Sequence, residues 1–309
     1  MALCQNSKNG GKPLIFDAPN YVWTTKYAYG GEITTDASGY IYHTFTNKKD
    51  LSTGEDFIDT LVLLKEADVS ILLVGGGSGG TGWSIGHGGG MGVGAGGGEV
   101  KEISLHLPRG RYRVQVGHGG IAVVDPLAKD LRGGTSSFSS YDASGGQDPS
   151  GGYYPYSLRM GGNSGSGKLG GIPFGIYENM APGGAGDTSV GASIYGTFIN
   201  PDWRYTQGYG GDGTLSTIIN QRFGAGGGGS SNAVPNGITE FIPIGGLSGG
   251  GTGAYPEDAY TTVGSTPGTP NTGGGAGGGT SYSGQSGGGP NYQYGSYGGS
   301  GIVVVRIKY

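Results

Sequence analysis

VSILLVGGGSGG (residues 69–80) joins two very different kinds of chain within a few positions. Val69–Val74 is short and apolar, and Gly75 stops it, which is the pattern of a buried β-strand. The chain beyond it has almost no side chains: residues 75–98 hold 15 glycines in 24 positions. The sequence closes on a similar strand, IVVVRI (302–307), which also borders a glycine tract. The two strands are expected side by side in one sheet, with the glycine tracts as long insertions that return to it.

Working outward, Ile103, Leu105 and Leu107 alternate with polar residues. After Pro108-Arg109-Gly110, Tyr112, Val114 and Val116 alternate again. This reads as a β-hairpin of 99–107 and 111–117. Thr135–Ala143 is a weaker strand. Ahead of residue 68, Tyr21–Tyr29, Tyr40–Thr46 and Phe57–Leu64 are rich in aromatic and β-branched residues, with turns at Gly30-Gly31 and Ser38-Gly39. Residues 1–67 hold only six glycines and 68–309 the other 69. That shift places a boundary there: a β-rich attachment module (1–67), then a glycine-rich domain (68–309). Helical periodicity is almost absent. The fold class is all-β: a small sandwich, jelly-roll or tumour-necrosis-factor-like, with strands near 69–74, 99–107, 111–117, 135–143 and 302–307.

Composition narrows the function classes. Of 309 residues, 75 are glycine, 15 are proline and 59 are Leu, Ile, Val or Phe, and net charge is only -4. So small an apolar share argues against an ordinary hydrophobic-core enzyme, and so low a charge argues against plain disorder. The glycines keep no strict third-residue period, which excludes collagen. With 18 basic and 22 acidic residues, a phosphate-tracking surface is not expected, so no nucleic acid is among the implied partners. The apolar runs are too short to span a bilayer. One cysteine, Cys4, rules out a disulfide framework within the chain. The start, MALCQNSKNGG, shows no apolar signal-peptide core.

The tracts need a physical reason to be ordered. Fixing a glycine costs roughly 0.5–1 kcal/mol more than fixing an alanine, and these tracts have few side chains to compensate. Backbone groups can. In a threefold extended helix of the polyproline-II type, N–H and C=O point outward and find no partner within the helix. Without Cβ atoms such helices approach closely and bond to each other, which satisfies buried backbone groups. A bundle of polyglycine-II helices is therefore expected in 75–98 and in several tracts within 161–300.

Four stretches carry a family resemblance: SILLVGGGSGG (70–80), GGGEVKEISLHLPRGRYRVQVGHGG (96–120), GTSSFSSYDASGG (134–146) and GGSGIVVVRIKY (298–309). In this order they resemble the glycine-rich domain of bacteriophage tail-fibre and other virion-associated proteins, over roughly residues 68–309. They are also similar to the glycine-rich domain of anaplastic lymphoma kinase-type receptors, where a tumour-necrosis-factor-like sandwich carries polyglycine helices. The tail-fibre tip adhesin of some T-even-like phages is similar in composition, and there polyglycine layers present loops to a host outer-membrane protein. The resemblance implies a virion protein made in the host cytoplasm and released by lysis. It would be held to other virion proteins through residues 1–67 and bind a host surface protein or glycan; a homo-oligomer fits as well.

Catalytic patterns are weak, and an enzyme is not expected. GNSGSGK (162–168) matches the start of a P-loop, but Leu169 stands where a Mg²⁺-binding Ser or Thr is needed. Gly92–Gly97 satisfies a dinucleotide fingerprint trivially. His43, His87, His106 and His118 have no metal-ligand spacing. His106 should sit on a solvated face, while His87 and His118, beside glycines, suit hydrogen bonds to backbone. No cofactor or metal is expected.

The tyrosines are more informative. There are 21, against 8 phenylalanines, and many fall between glycine tracts. Tyr153, Tyr154, Tyr156, Trp203, Tyr205, Tyr209, Tyr255, Tyr260, Tyr292, Tyr294 and Tyr297 are the candidate receptor or subunit contacts. Tyrosine gives large contact area with few rotatable bonds, although the same rings would also serve to cap a glycine bundle. Two readings result, a host-surface adhesin and a purely structural virion component such as a head fibre, decoration or filament subunit. They part on whether these tyrosines gather at one free end. A third reading, an ice-binding protein like the polyglycine bundles of snow fleas, needs a flat, regular Thr/Ala face, which the irregular tracts do not provide.

Overall fold

The computed structural model describes residues 27–49, 53–82, 92–122, 131–149, 160–172, 181–194, 196–199, 202–205, 208–231, 242–256, 262–282, 291–293 and 295–308. Cys4, His87 and residues 21–26 of the first expected strand lie outside them. In chain order the sandwich strands are β1 (Ala28–Tyr29), β2 (Glu32–Thr35), β3 (Ile41–Thr46), β4 (Phe57–Leu63), β5 (Ala67–Val74), β6 (Val100–Leu107), β7 (Gly110–Val116), β8 (Ser136–Phe138) and β9 (Tyr141–Ala143). Four short two-stranded ladders come next: β10 (Gly196–Ile199) with β11 (Asp202–Tyr205), β12 (Thr214–Leu215) with β13 (Arg222–Phe223), β14 (Tyr255–Pro256) with β15 (Thr262–Val263), and β16 (Thr280–Tyr282) with β17 (Asn291–Gln293). Strand β18 (Ile302–Ile307) is last, and the described residues contain no α-helix.

Two five-stranded antiparallel sheets face each other, ordered β1-β4-β7-β8-β9 and β2-β3-β18-β5-β6. As expected, VSILLV and IVVVRI are neighbours: Val303 pairs with Leu73 and Val305 with Ile71. The core lies between the sheets, where Leu61, Leu63, Val114, Val116 and Phe138 meet Phe45, Ile71, Leu73, Val303, Val305 and Ile307. Tyr112 stacks on Phe138 with ring centroids 5.5 Å apart. Strands β5 and β18 do not alternate because their outer faces are covered too. Leu72, Val74, Ile302 and Val304 lie under Ile218 and Phe223 of the β12–β13 hairpin. Glu102 fastens that hairpin, accepting from Ser216 Oγ at 2.6 Å, Thr217 N at 2.7 Å and Ile218 N at 3.3 Å. Burial raises the Glu102 pKa, but these hydroxyl and amide donors outweigh it and leave the carboxyl below its ordinary value.

Three expectations are corrected. Residues 99–107 and 111–117 are not a hairpin: β6 pairs with β5 at one sheet's edge, and β7 pairs with β4 and β8 in the other. Pro108-Arg109 crosses between the sheets. The apolar alternation is the same in both arrangements, because either way Leu105 and Val114 face the core. The 135–143 strand is two, β8 and β9, folded back at Ser139, whose φ of 55° is a turn conformation. The boundary at residue 67 does not separate two bodies, since β3 pairs with β18 and β4 with β7. Glycine density marks where the insertions begin, and the sandwich begins before them.

His43, expected to be no metal ligand, is a core residue. It is fully buried on the inward side of β3, and its Nδ1–H donates to the Gly30 carbonyl at 2.9 Å. Nε2 is buried with no hydrogen-bond partner. Burial lowers the His43 pKa below the ordinary histidine value. Below about pH 6.5 the unfolded chain takes up a proton that the folded chain resists. The stability carried by the neutral ring is therefore complete above that pH and lost as pH falls. The urea midpoint is expected to drop on acidification, and the drop should shrink in His43→Gln; equal pH dependence in the two proteins would contradict this.

The glycine tracts form the expected polyglycine-II bundle, and hydrogen bonding reveals its threefold screw. From Gly75, Gly76 and Gly77 the N–H groups go to Glu99, Gly134 and Gly299, on three different tracts. From Ser78, Gly79 and Gly80 they go to Gly96, Leu131 and Ser296, the same three tracts in the same order. Residues three apart thus address one neighbour, as three residues per turn requires. Tract 92–99 lies at the centre. Gly92, Ala95 and Gly98 donate to Gly279, Ala276 and Gly273, while Gly94 and Gly97 donate to Pro182 and Ala185. Gly96 N–H reaches Ser78 Oγ at 2.9 Å, and Glu99 N–H reaches Ser144 O. In return, the Gly94 and Gly97 carbonyls accept from Gly162 and Gly165, and those of Gly92 and Ala95 from Ser230 and Gly227. Glycine is demanded by distance here: a Cβ on Gly97 would fall less than 3 Å from the backbone of Gly224 and Ala225.

Candidate functional site

The tracts run out from the sandwich and back, which gives the bundle two unlike ends. At the proximal end Gly75, Gly98, Ser144, Thr272, Gly273 and Ser300 adjoin the strands and are linked through Glu99 and Gly224. Here the chain reverses in short turns: Ser164–Lys168, residues 187–189, the β12–β13 hairpin, and residues 247–249 and 270–273. At the distal end Thr81, Gly92, Ala181, Ser230, Ser231, Ala254, Gly278 and Gly279 are joined into one layer by backbone bonds.

The tract ends flanking the longer connections all lie at this far end. Gly120 bonds to Gly77 and Gly79 to Leu131, and Gly161 bonds to Gly171 and Gly171 to Gly183. Ile194 bonds to Ile172, Gly229 to Gly208, Gly253 to Pro243, Thr266 to Thr252 and Gly80 to Ser296. The connections those tracts serve are 83–91, 123–130, 150–159, 173–180, 195–207, 232–241, 255–263 and 280–294.

The candidate aromatic residues that the structure describes lie in the stretches between these tract ends or within a turn of one. Trp203 and Tyr205 are on β11, opposite Phe198 and Gly196. Tyr255 on β14 pairs with Val263 and is half-buried, and Tyr292 on β17 pairs with Ser281. Tyr209, 43% exposed, follows Gly208, while its carbonyl accepts from Ala192. Tyr297 is half-buried and its carbonyl accepts from Gly268. Tyr153, Tyr154, Tyr156, Tyr260 and Tyr294 lie outside the described residues, between tracts that end on the distal layer.

The catalytic-looking motifs dissolve into architecture. Residues 162–168 form a turn in which Ser164 Oγ accepts from Lys168 N at 2.9 Å. Gly92–Gly97 is the core of the bundle. His118 Nδ1 lies 2.9 Å from the Gly119 carbonyl, and exposed His106 lies 2.8 Å from Asp68 Oδ1. Among the described residues no three His, Cys, Asp or Glu side chains are arranged to hold a metal ion, and no helix is long and apolar enough to cross a membrane.

Sequence reasoning missed a polar groove of about 620 Å³ on the outer face of the β18 sheet, lined by Tyr40, Asp68, Ser70, Ser104, His106, Arg306 and Lys308. Arg306 and Lys308 lie over the Tyr40 ring at 4.8 and 5.0 Å, and Arg306 Nη2 donates to Ser70 Oγ at 3.2 Å. Its lining sets the two cations Arg306 and Lys308 against one carboxylate, Asp68. The signal was faint: polar residues of β5, β6 and β18 that gather only once the sheet forms.

Strand, tract, strand-pair and closing strand now stand in one architecture, and a glycine-rich domain family model matches residues 59–308. The chain belongs to the glycine-rich domain family. No curated protein matches it. In this glycine-rich domain the matched span starts inside β4, so it takes in most of the sandwich as well as the bundle.

Proposed function

We propose that the protein is a virion appendage of the tail-fibre type that recognises a host surface through aromatic segments carried on a rigid glycine bundle. The observation that carries this reading is the two-ended layout. Tight turns fill the sandwich end, while all the candidate aromatic segments belong to connections whose flanking tracts end on the opposite layer. A rigid frame presenting Tyr-bearing connections at one end suits recognition, because the frame limits the ordering cost of binding. The sandwich end, which holds the N-terminal strands, is then the side joined to other virion proteins.

The test is binding of the labelled protein to a panel of bacterial cells, with segments 150–159, 195–207 and 280–294 replaced in turn by Ser/Gly connections. Replacement should reduce cell binding about tenfold or more, since aromatic hot spots dominate such contacts. Undiminished binding would overturn the reading. Cryo-electron microscopy showing copies repeated along a shell, with distal faces buried between neighbours, would replace it with the structural-component alternative.

A further inference from the structure

Four tracts, 168–172, 190–194, 208–213 and 242–247, form one outer layer of the bundle. Gly191 bonds to Leu169, Ala192 to Tyr209 and Gly210 to Ile244, at 2.9–3.1 Å. Leu247 N–H donates to Asp212 Oδ1 at 2.9 Å. On the two outermost of these tracts, exposed bulky apolar residues stand three apart, one turn of the screw. Leu169 and Ile172 are exposed, with Gly170 and Gly171 buried between them; Ile244 and Leu247 are exposed, with Gly246 buried. Val190 and Tyr209 are exposed on the two tracts between them. These six residues are 36–62% exposed. The flank is thus a comb of bulky apolar side chains, about 9 Å apart along a tract and about 5 Å between hydrogen-bonded tracts. Another surface-lying tract, 264–269, shows exposed Thr266, Pro267 and Thr269 instead, so the apolar comb is particular to this flank.

We propose that this comb is a self-association face and that its occupant is a second copy of the chain, related by a twofold axis. The spacing argues for it. Gaps of about 9 Å admit an aliphatic side chain from an identical comb, and a twofold axis brings the same patch to both partners. The area agrees. A fully exposed aliphatic side chain offers roughly 60–120 Å² of apolar surface. With Ile242 at the margin, the flank offers on the order of 400 Å². A standard interface takes about 800 Å² from each partner, of which about 56–65% is apolar. The comb supplies most of that apolar share.

The test is the mass of the full chain by sedimentation velocity across a concentration series. A particle of twice the 31.1 kDa chain mass is expected. The double variant Val190→Asp/Leu247→Asp should raise the dissociation constant about 100-fold or more by placing charge in an apolar contact. Val190→Ala, which only removes bulk, should weaken it in the same direction, and Thr269→Asp on the other surface should leave it unchanged. A parent that stays monomeric at every concentration overturns the proposal. So does a dimer indifferent to both Val190 variants, or one weakened equally by Thr269→Asp.

Discussion

Gly97→Ala is expected to lower the melting temperature by roughly 10 °C, an outsized effect for one methyl group. Gly97 donates to Ala185 and accepts from Gly165, and a Cβ there would intrude on the backbone of Gly224 and Ala225. The obstacle is main chain, which cannot turn to another rotamer. At least one neighbouring tract must move, and each buried bond that opens leaves polar groups unsatisfied at about 1–3 kcal/mol. Overpacking adds a similar amount, so a total of about 3–5 kcal/mol is reasonable. Gly110→Ala is the control, because its Cβ would meet the Tyr112 hydroxyl at an ordinary 3.5 Å. Scanning calorimetry of the two variants decides the matter. A Gly97→Ala shift no larger than that of Gly110→Ala would mean that the bundle is loosely packed.

Phe223→Ala is expected to cost about 3–5 kcal/mol, the usual range for deleting a buried aromatic ring. Phe223 is 1% exposed and lies with Ile218 over Leu72, Val74, Ile302 and Val304. Its loss hollows the contact that covers the outer face of β5 and β18, and the Glu102 bonds would then hold a hairpin with little to pack against. The urea midpoint should fall with the slope nearly unchanged, and binding of a hydrophobic dye should rise. Leu215→Ala on the same hairpin removes a side chain that is 48% exposed, so its change should stay within about 1 kcal/mol. Equal effects of the two variants would count against the covering role.

Much of this architecture was legible because two signals are local. A β-branched run stopped by glycine marks β5 and β18, and the backbone's need for partners forces neighbouring glycine tracts together. The features that were not legible depend on long-range choices. Nothing in residues 99–117 distinguishes a hairpin from a crossing between sheets, because Ile103, Leu105, Val114 and Val116 satisfy both. The role of residues 28–63 was hidden because β3 and β4 look self-sufficient and find their partners in β18 and β7 only in three dimensions. At the candidate site, the tyrosines stood out by composition, but the layer on which their flanking tracts end depends on the out-and-back course of the tracts. The apolar comb is invisible at the strand and helix periods of 2 and 3.6, because these tracts repeat at 3.

Strand β18 lies in the middle of its sheet, between β3 and β5, yet it comes after every glycine tract in the chain. During synthesis, β3 and β5 emerge early and cannot be bridged until residues 302–307 leave the ribosome. Until then the sheet has a gap at its centre, and tract 295–301, which leads into β18, is missing from the bundle. Such late closure of distant contacts is slow. Assembly should therefore be late and all-or-none, with β18 acting as the latch that commits sandwich and bundle together.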